Sequence, residues 1–340
     1  MESGFPFVMF MRTAIFRVLL FWSVIAFVTS GAAAWPPDPA ESVVLDSGYR
    51  FKIDADWVYV NVSVRDPRNH SNILGLTKED FLLYEDQFLR PVDSCIPAET
   101  PFNLLLLMDV SASTSPFVRI LRDSALELGG QLGPADRIAI MTFSSGSRLI
   151  LPPTSDRKKL KSALRLVAPD SATAFYDALI SAFRTVGSIA GRKAIVVFSD
   201  GVDNQLLNPN DGSRTSFETL LDVARRSDCL IYSIFLPPAT ANEARHPAVL
   251  KAEQQMQILS SETGGRMYKL QKVEDLAAHY SEIAQDLRFI YTLAYAPNAS
   301  APSGWRALKV QVKGQPELSI RARSGYFKRQ ESEVRSQEAE

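Results

Sequence analysis

The residues best suited to chemistry lie in three short segments far apart in the chain: Asp109-Val110-Ser111-Ala112-Ser113, Thr173, and Asp200-Gly201. Two carboxylates with serine and threonine hydroxyls form an all-oxygen donor set of low charge. Such a set suits a hard divalent cation that keeps some of its waters and takes few carboxylates, Mg²⁺ first and Mn²⁺ as a substitute. Asp109 directly follows the apolar run Leu104–Met108, and Asp200 follows the stretch that begins with Ala194–Phe198. Each acid therefore stands where a buried strand gives way to a loop. In an open parallel sheet, ligands bind outside the carboxyl ends of the strands, where strand order reverses. Taken singly, each piece has a plainer reading. Ser113, Thr114 or Ser115 can cap a following helix, and so can Ser171 or Thr173. Asp177 suits a helix's positive end, and Asp200-Gly201 can be only a tight turn. Asp203 and Asn204, close by, either tune the site or solvate its loop.

The elements that must position these residues alternate. Residues 102–288 read as βα units: strands at Phe102–Met108, Arg137–Phe143, Ala194–Phe198, Cys229–Leu236 and Arg266–Leu270, with a short possible edge at Arg148–Leu151. Helical spacing marks Ser115–Gly129, Asp156–Val167, Ala174–Val186, Ser216–Arg226, Pro247–Glu262 and Val273–Leu287. The repeat predicts an α/β fold, a doubly wound, mostly parallel sheet covered on both faces. Residues 35–101 read as β, with Trp57–Arg65 alternating at period two, a turn at 66–69, and short strands at Phe81–Tyr84 and Phe88–Val92. Residues 289–327 return to β at Phe289–Tyr295, Ala307–Val312 and Leu318–Arg323. These segments are expected to pack with residues 42–96 as one β-sandwich interrupted by the α/β domain; two separate β appendages are the alternative. The charged tail 328–340 reads as disordered.

Asp109-x-Ser111-x-Ser113, then Thr173, then Asp200-Gly201 resembles the metal-ion-dependent adhesion site of von Willebrand factor type A domains. The α/β pattern over about residues 102–288 is similar to that fold. The flanks Gly75–Glu85 and Tyr291–Phe327 resemble those of exported bacterial relatives common in acidobacteria, so the likeness covers nearly the whole chain after residue 34. The resemblance implies Ser111 and Ser113 as direct ligands and Thr173 as a ligand directly or through water. It implies Asp109 and Asp200 as holders of coordinated waters. It also implies a partner protein whose Asp or Glu carboxylate replaces a water on the ion, and a last helix, Val273–Leu287, that slides in some members.

Composition sets the remaining bounds. The chain has 340 residues, 46% of them hydrophobic, about two domains at ~100–200 residues each. A net charge of −1 gives no strong overall field toward nucleic acid or an anionic membrane. Residues 1–34 read as a signal peptide: Arg12 and Arg17, the apolar run Val18–Val28, and small residues Ala32 and Ala34 before Trp35. Met11 is an alternative start. The apolar run is short of the ~20 residues a spanning helix needs. A secreted or periplasmic protein is expected, without membrane insertion after signal cleavage. Cys95 and Cys229 are open to two readings, a disulfide or two buried thiols. Three Asn-x-Ser triplets, beginning at Asn61, Asn69 and Asn298, are read as chance matches. An enzyme is not expected. A phosphoryl-transfer hydrolase resembling haloacid dehalogenases would need an acid where Ser111 stands. Ser144-Ser145-Gly146 is not a serine-hydrolase elbow, and His70, His246 and His279 read as solvated surface residues. No Gly-rich dinucleotide fingerprint follows either buried run. A metal-independent structural module remains the other binding-class alternative.

Overall fold

In this computed structural model the described residues are 57–328, except 70, 98–99, 171, 209, 239 and 299–301. The signal-peptide reading of residues 1–34 and nearly all of the tail 328–340 fall outside them. Strands run β1 (Val58–Arg65), β2 (Phe81–Glu85), β3 (Phe88–Arg90), β4 (Ser94–Ile96) and β5 (Phe102–Asp109). There follow α1 (Val118–Gln131), β6 (Arg137–Phe143), β7 (Ser147–Thr154), α2 (Arg157–Leu164), α3 (Phe175–Gly187) and β8 (Arg192–Ser199). The α/β part ends with α4 (Phe217–Arg226), β9 (Leu230–Phe235), α5 (Ala241–Ala244), α6 (Pro247–Thr263), β10 (Arg266–Lys269) and α7 (Leu276–Arg288). Strands β11 (Tyr291–Tyr295), β12 (Gly304–Val312), β13 (Ser319–Ala322) and β14 (Gly325–Lys328) close the described chain.

The central sheet has the order β10-β9-β8-β5-β6-β7. Its pairings are parallel except β6–β7, where β7 is an antiparallel edge with two register shifts. β5 sits in the middle and is covered on both faces, hence its unbroken apolar run. Leu104, Leu106 and Met108 join the layer that includes α1, α2 and α7. Leu105 and Leu107 join the opposite layer, with α3, α4 and α6. β8 divides in the same way, Ala194, Val196 and Phe198 to one side and Ile195 and Val197 to the other. Each fully buried leucine, valine, isoleucine, methionine or phenylalanine among them contributes roughly 1.5–3 kcal/mol.

Two four-stranded antiparallel sheets, β13-β1-β11-β4 and β14-β12-β2-β3, flank this core. Each takes strands from both sides of the α/β region: β1 pairs with β11 and β13, and β12 with β2 and β14. They share one apolar interior, in which Val60, Val62, Phe81 and Leu83 meet Tyr291, Leu293, Val310 and Tyr326. The Phe81 and Tyr291 rings meet edge-on at 5.4 Å. Glu85 is buried there and satisfied by Arg90 at 2.9 Å, Tyr326 at 2.6 Å and Tyr295 at 3.4 Å.

Two seams bind these sheets to the α/β part. In one, Asp286 of α7 accepts from Arg65 at 2.8 Å, Tyr232 at 2.6 Å, Ser63 at 3.3 Å and from Arg321. In the other, Arg225 lies over the Trp305 ring and Arg226 over Phe327, 4.9 and 4.8 Å from the centroids. The two cysteines are free thiols. Cys95 belongs to β4, which pairs with β11 outside the central sheet, so it does not share a sheet end with Cys229. The disulfide reading is therefore not realised. No helix among the described residues is long and apolar enough to cross a membrane.

Candidate metal centre

β5 and β8 are parallel neighbours, and the chain leaves β5 toward β6 on one side and returns to β8 on the other. Their shared carboxyl end is the reversal point of the sheet, where loops part and leave room for a ligand. Asp109, the last residue of β5, is fully buried. Its Oδ1 accepts from the Ser111 amide at 2.9 Å and its Oδ2 from the Ser199 hydroxyl at 2.5 Å. Ser111 is buried, and its Oγ lies 3.2 Å from Ser113 Oγ. Ser113 is exposed, and its hydroxyl lies close enough to the half-buried Asp200 carboxyl to favour the charged form. Asp200 Oδ1 accepts from the Val202 amide at 3.1 Å.

Thr173 is buried in the loop before α3. Its carbonyl accepts from the Asn204 amide at 3.0 Å, and the Asp170 amide in the same loop donates to the Val110 carbonyl at 2.7 Å. The loops carrying Ser111, Thr173 and Asp200 thus brace one another. Asp109, Ser111, Ser113 and Asp200 form one connected set of side chains, with Thr173 in the adjoining loop.

Among the described residues the capping alternatives are not realised, and Ser171 lies outside them. The residues opening α1 and α3 are Phe117 and Ala174, neither with a side-chain cap. Thr114 instead turns its hydroxyl back to the Asp109 carbonyl at 2.8 Å. Asp200-Gly201 is a tight turn as well as a donor position. Gly201 has φ +69°, and a Cβ there would stand 2.4 Å from Met256 Sδ. Only glycine lets α6 pack this closely under the loop.

Three residues complete the arrangement: Ser199 and Thr114, missed as site components, and Asp203, which the sequence left between tuning the site and solvating its loop. Ser199 donates to Asp109 and accepts from the Gly201 amide at 2.8 Å, so one hydroxyl links both acids' loops. Its position between a buried apolar run and an acid was the available signal. Thr114 is the second. The third is Asp203, which is fully buried and does not solvate its loop. It accepts from the amides of Tyr176 (3.2 Å), Gln205 (2.9 Å) and Ser213 (3.0 Å) and from the Ser213 hydroxyl at 2.5 Å. That pins the loop after Asp200 to the start of α3. His279 departs from the surface reading: it is mostly covered and lies 5.0 Å from the Tyr268 ring. His246 is exposed and caps α6.

Burial, and then the Asp200 charge, pushes the Asp109 carboxyl up to about 6. Burial also raises Asp200. Among the described residues neither acid joins an ion pair with a cationic side chain. A buried carboxylate beside a half-buried one of the same charge is costly unless a positive charge joins them. Among the described residues no three His, Cys, Asp or Glu side chains gather as a metal cluster. The donor set is therefore two acids plus hydroxyls, which fits a hard oxygen-seeking divalent ion and not a zinc site of the His/Cys type.

Residues 104–202 match the sequence profile of the von Willebrand factor type A domain, and the chain carries such a domain at its centre. A UPF0353 protein of Mycobacterium leprae is 24% identical over 226 residues, covering 62% of this chain and 66% of the relative. The chain spans somewhat less than two thirds of the length of the curated relatives it matches first. Among solved structures, BatB from Bacteroides thetaiotaomicron is similar at 17% identity and TM-score 0.41, covering 55% of this chain and 97% of that one. Proximal thread matrix protein 1 from the mussel byssus, solved with a zinc-occupied MIDAS motif, is similar at 16% identity and TM-score 0.47, covering 60% and 50%. These structural likenesses are loose, and the account of the site rests on this chain's own residues.

Proposed function

We propose that this protein is an exported, metal-dependent protein-binding module of the adhesion type. The supporting observation is the convergence of Asp109, Ser111, Ser113 and Asp200 at the reversal point of the sheet, with Thr173 in the loop braced against them. Ser111 and Ser113 would hold Mg²⁺ directly, Thr173 directly or through water, and Asp109 and Asp200 through waters and charge balance. Mn²⁺ can substitute. When bound, the ion supplies an electrophilic position that a partner's Asp or Glu carboxylate occupies in place of water. Ser199 and Thr114 hold Asp109 in place.

The proposed organisation is a signal peptide over 1–34, β segments 35–101 and 289–327 packed together, the type A domain over 102–288 between them, and a tail over 328–340. The protein is then secreted or periplasmic, and no nucleic acid is involved. It is not an enzyme in this reading: Ser111 stands where an acid–base partner would be needed, and the described histidines serve packing and capping. The test is capture of envelope proteins on the immobilised chain with Mg²⁺, with EDTA, and with Asp109→Ala. Mg²⁺-dependent capture lost in both controls supports the reading. Capture indifferent to EDTA and to the substitution favours a metal-independent structural module instead.

A further inference from the structure

The net charge of −1 conceals a one-sided face. α2 reads Arg-Lys-Lys-Leu-Lys-Ser-Ala-Leu, with Arg165 as its C-cap. Leu160, Ala163 and Leu164 are buried, so Lys158, Lys159, Lys161 and Arg165 stand on the exposed side. The one acid at the helix start, Asp156, caps the helix, accepting from the amides of Lys158 and Lys159 at 2.8 and 3.3 Å, and its single charge leaves the four cations in excess. Among the described residues those four cations join no ion pair.

Arg148 of β7 extends the face, its Nη2 donating to the Leu166 carbonyl at 3.4 Å. Beside it, a groove of about 220 Å³ between α1 and α2 is lined by Arg122, Asp123, Leu126, Lys161, Leu164 and Arg165. Its one acid, Asp123, lies 3.8 Å from Arg119. Two leucines stand out among these cations, Leu126 at 38% exposure and Leu166 at 60%.

We propose that this face adsorbs to an anionic phospholipid surface. Charge complementarity fits any polyanion. The exposed leucines favour a bilayer, where they enter the acyl boundary while lysine and arginine stems reach back to the phosphates. The contact is adsorption, since no described helix can span. It is independent of the metal centre, being built on α1, α2 and β7.

The test is cosedimentation of the full chain with vesicles of equimolar phosphatidylcholine and phosphatidylglycerol, and with pure phosphatidylcholine. Any contribution of the apolar run Val18–Val28 is common to both, so the readout is the increase that phosphatidylglycerol causes. Each basic residue near an anionic surface strengthens binding roughly fivefold. Lys158→Ala/Lys159→Ala/Lys161→Ala should therefore weaken that increase roughly a hundredfold. A charge-matched control, Lys272→Ala/Lys309→Ala/Lys313→Ala, removes exposed lysines elsewhere and should leave it within a few-fold. Wild-type binding that ignores phosphatidylglycerol overturns the proposal. So does an equal loss in both triple variants, which would make the attraction one of overall charge and not of this face.

Discussion

Replacing Asp286 by alanine tests what ties the last helix of the α/β core to the flanking sheets. The carboxylate is fully buried and carries contacts from Ser63 and Arg65 of β1, Tyr232 of β9 and Arg321 of β13. Alanine leaves two guanidinium groups, each with 20% of its side chain exposed, without a counter-charge, and two hydroxyls without an acceptor. Breaking a buried ion pair from one side costs about 3–5 kcal/mol. Partial exposure of both arginines puts the expectation at the lower end, about 3 kcal/mol. Asp286→Asn keeps the shape and an acceptor for Tyr232, and should lose less. Urea unfolding at neutral pH measures both.

The pH dependence has a definite sign. Burial pushes the Asp286 carboxyl up, but Arg321 foremost, then Tyr232 and Arg65, outweigh it and hold it below the ordinary value. A depressed carboxylate contributes its full stability above about pH 4 and loses it as pH falls through the lower folded value. The gap between wild type and Asp286→Ala should therefore narrow only below about pH 4. A loss under about 1 kcal/mol at pH 7, the scale of a surface pair, would refute the claim that this carboxylate anchors the helix.

Further outcomes follow from the metal centre. Gly201→Ala places a Cβ 2.4 Å from Met256 Sδ at φ +69° and should cost about 1–3 kcal/mol in thermal or urea unfolding; combined with Met256→Ala, the total loss should be less than the sum of the two separate losses, because the clash is then absent. Asp109, pushed up to about 6 by burial and then by Asp200, must lose its proton to serve a cation. Mg²⁺ affinity should hence be about tenfold weaker at pH 5 than at pH 8, with proton release seen when calorimetry is repeated in buffers of different ionisation heat. Ser199→Ala removes the donor 2.5 Å from Asp109 and should move that fall in affinity to higher pH.

Buried strands were legible because each is covered on both faces and reads as an apolar run, as at Leu104–Met108 and Ala194–Phe198. The strand-end acids followed from them. The short strands β4 and β14 were not legible. Each has three or four residues, half-buried in part, and its identity depends on partners across the chain, β11 and β12. Periodicity reports a face and not a neighbour, so it placed Asp203 near the site without showing its four hydrogen-bond donors from 176, 205 and 213. It likewise read Cys95 as leading into the first core strand and Cys229 as opening a later one, without showing that Cys95 lies in β4, outside the central sheet. Whole-chain charge averaged away the basic face of α2, which emerges only when Leu160, Ala163 and Leu164 are seen to bury the other side of the helix.

The central claim is that the Asp109, Ser111, Ser113, Thr173 and Asp200 cluster holds a divalent ion. Titration calorimetry of Mg²⁺ into the chain, with Ser111→Ala/Ser113→Ala as control, tests it most directly. The account predicts saturable binding of a single ion to the wild type, and its loss in a control whose circular dichroism spectrum is unchanged. Equal binding by both chains, or none by the wild type at any Mg²⁺ concentration tested, would contradict it.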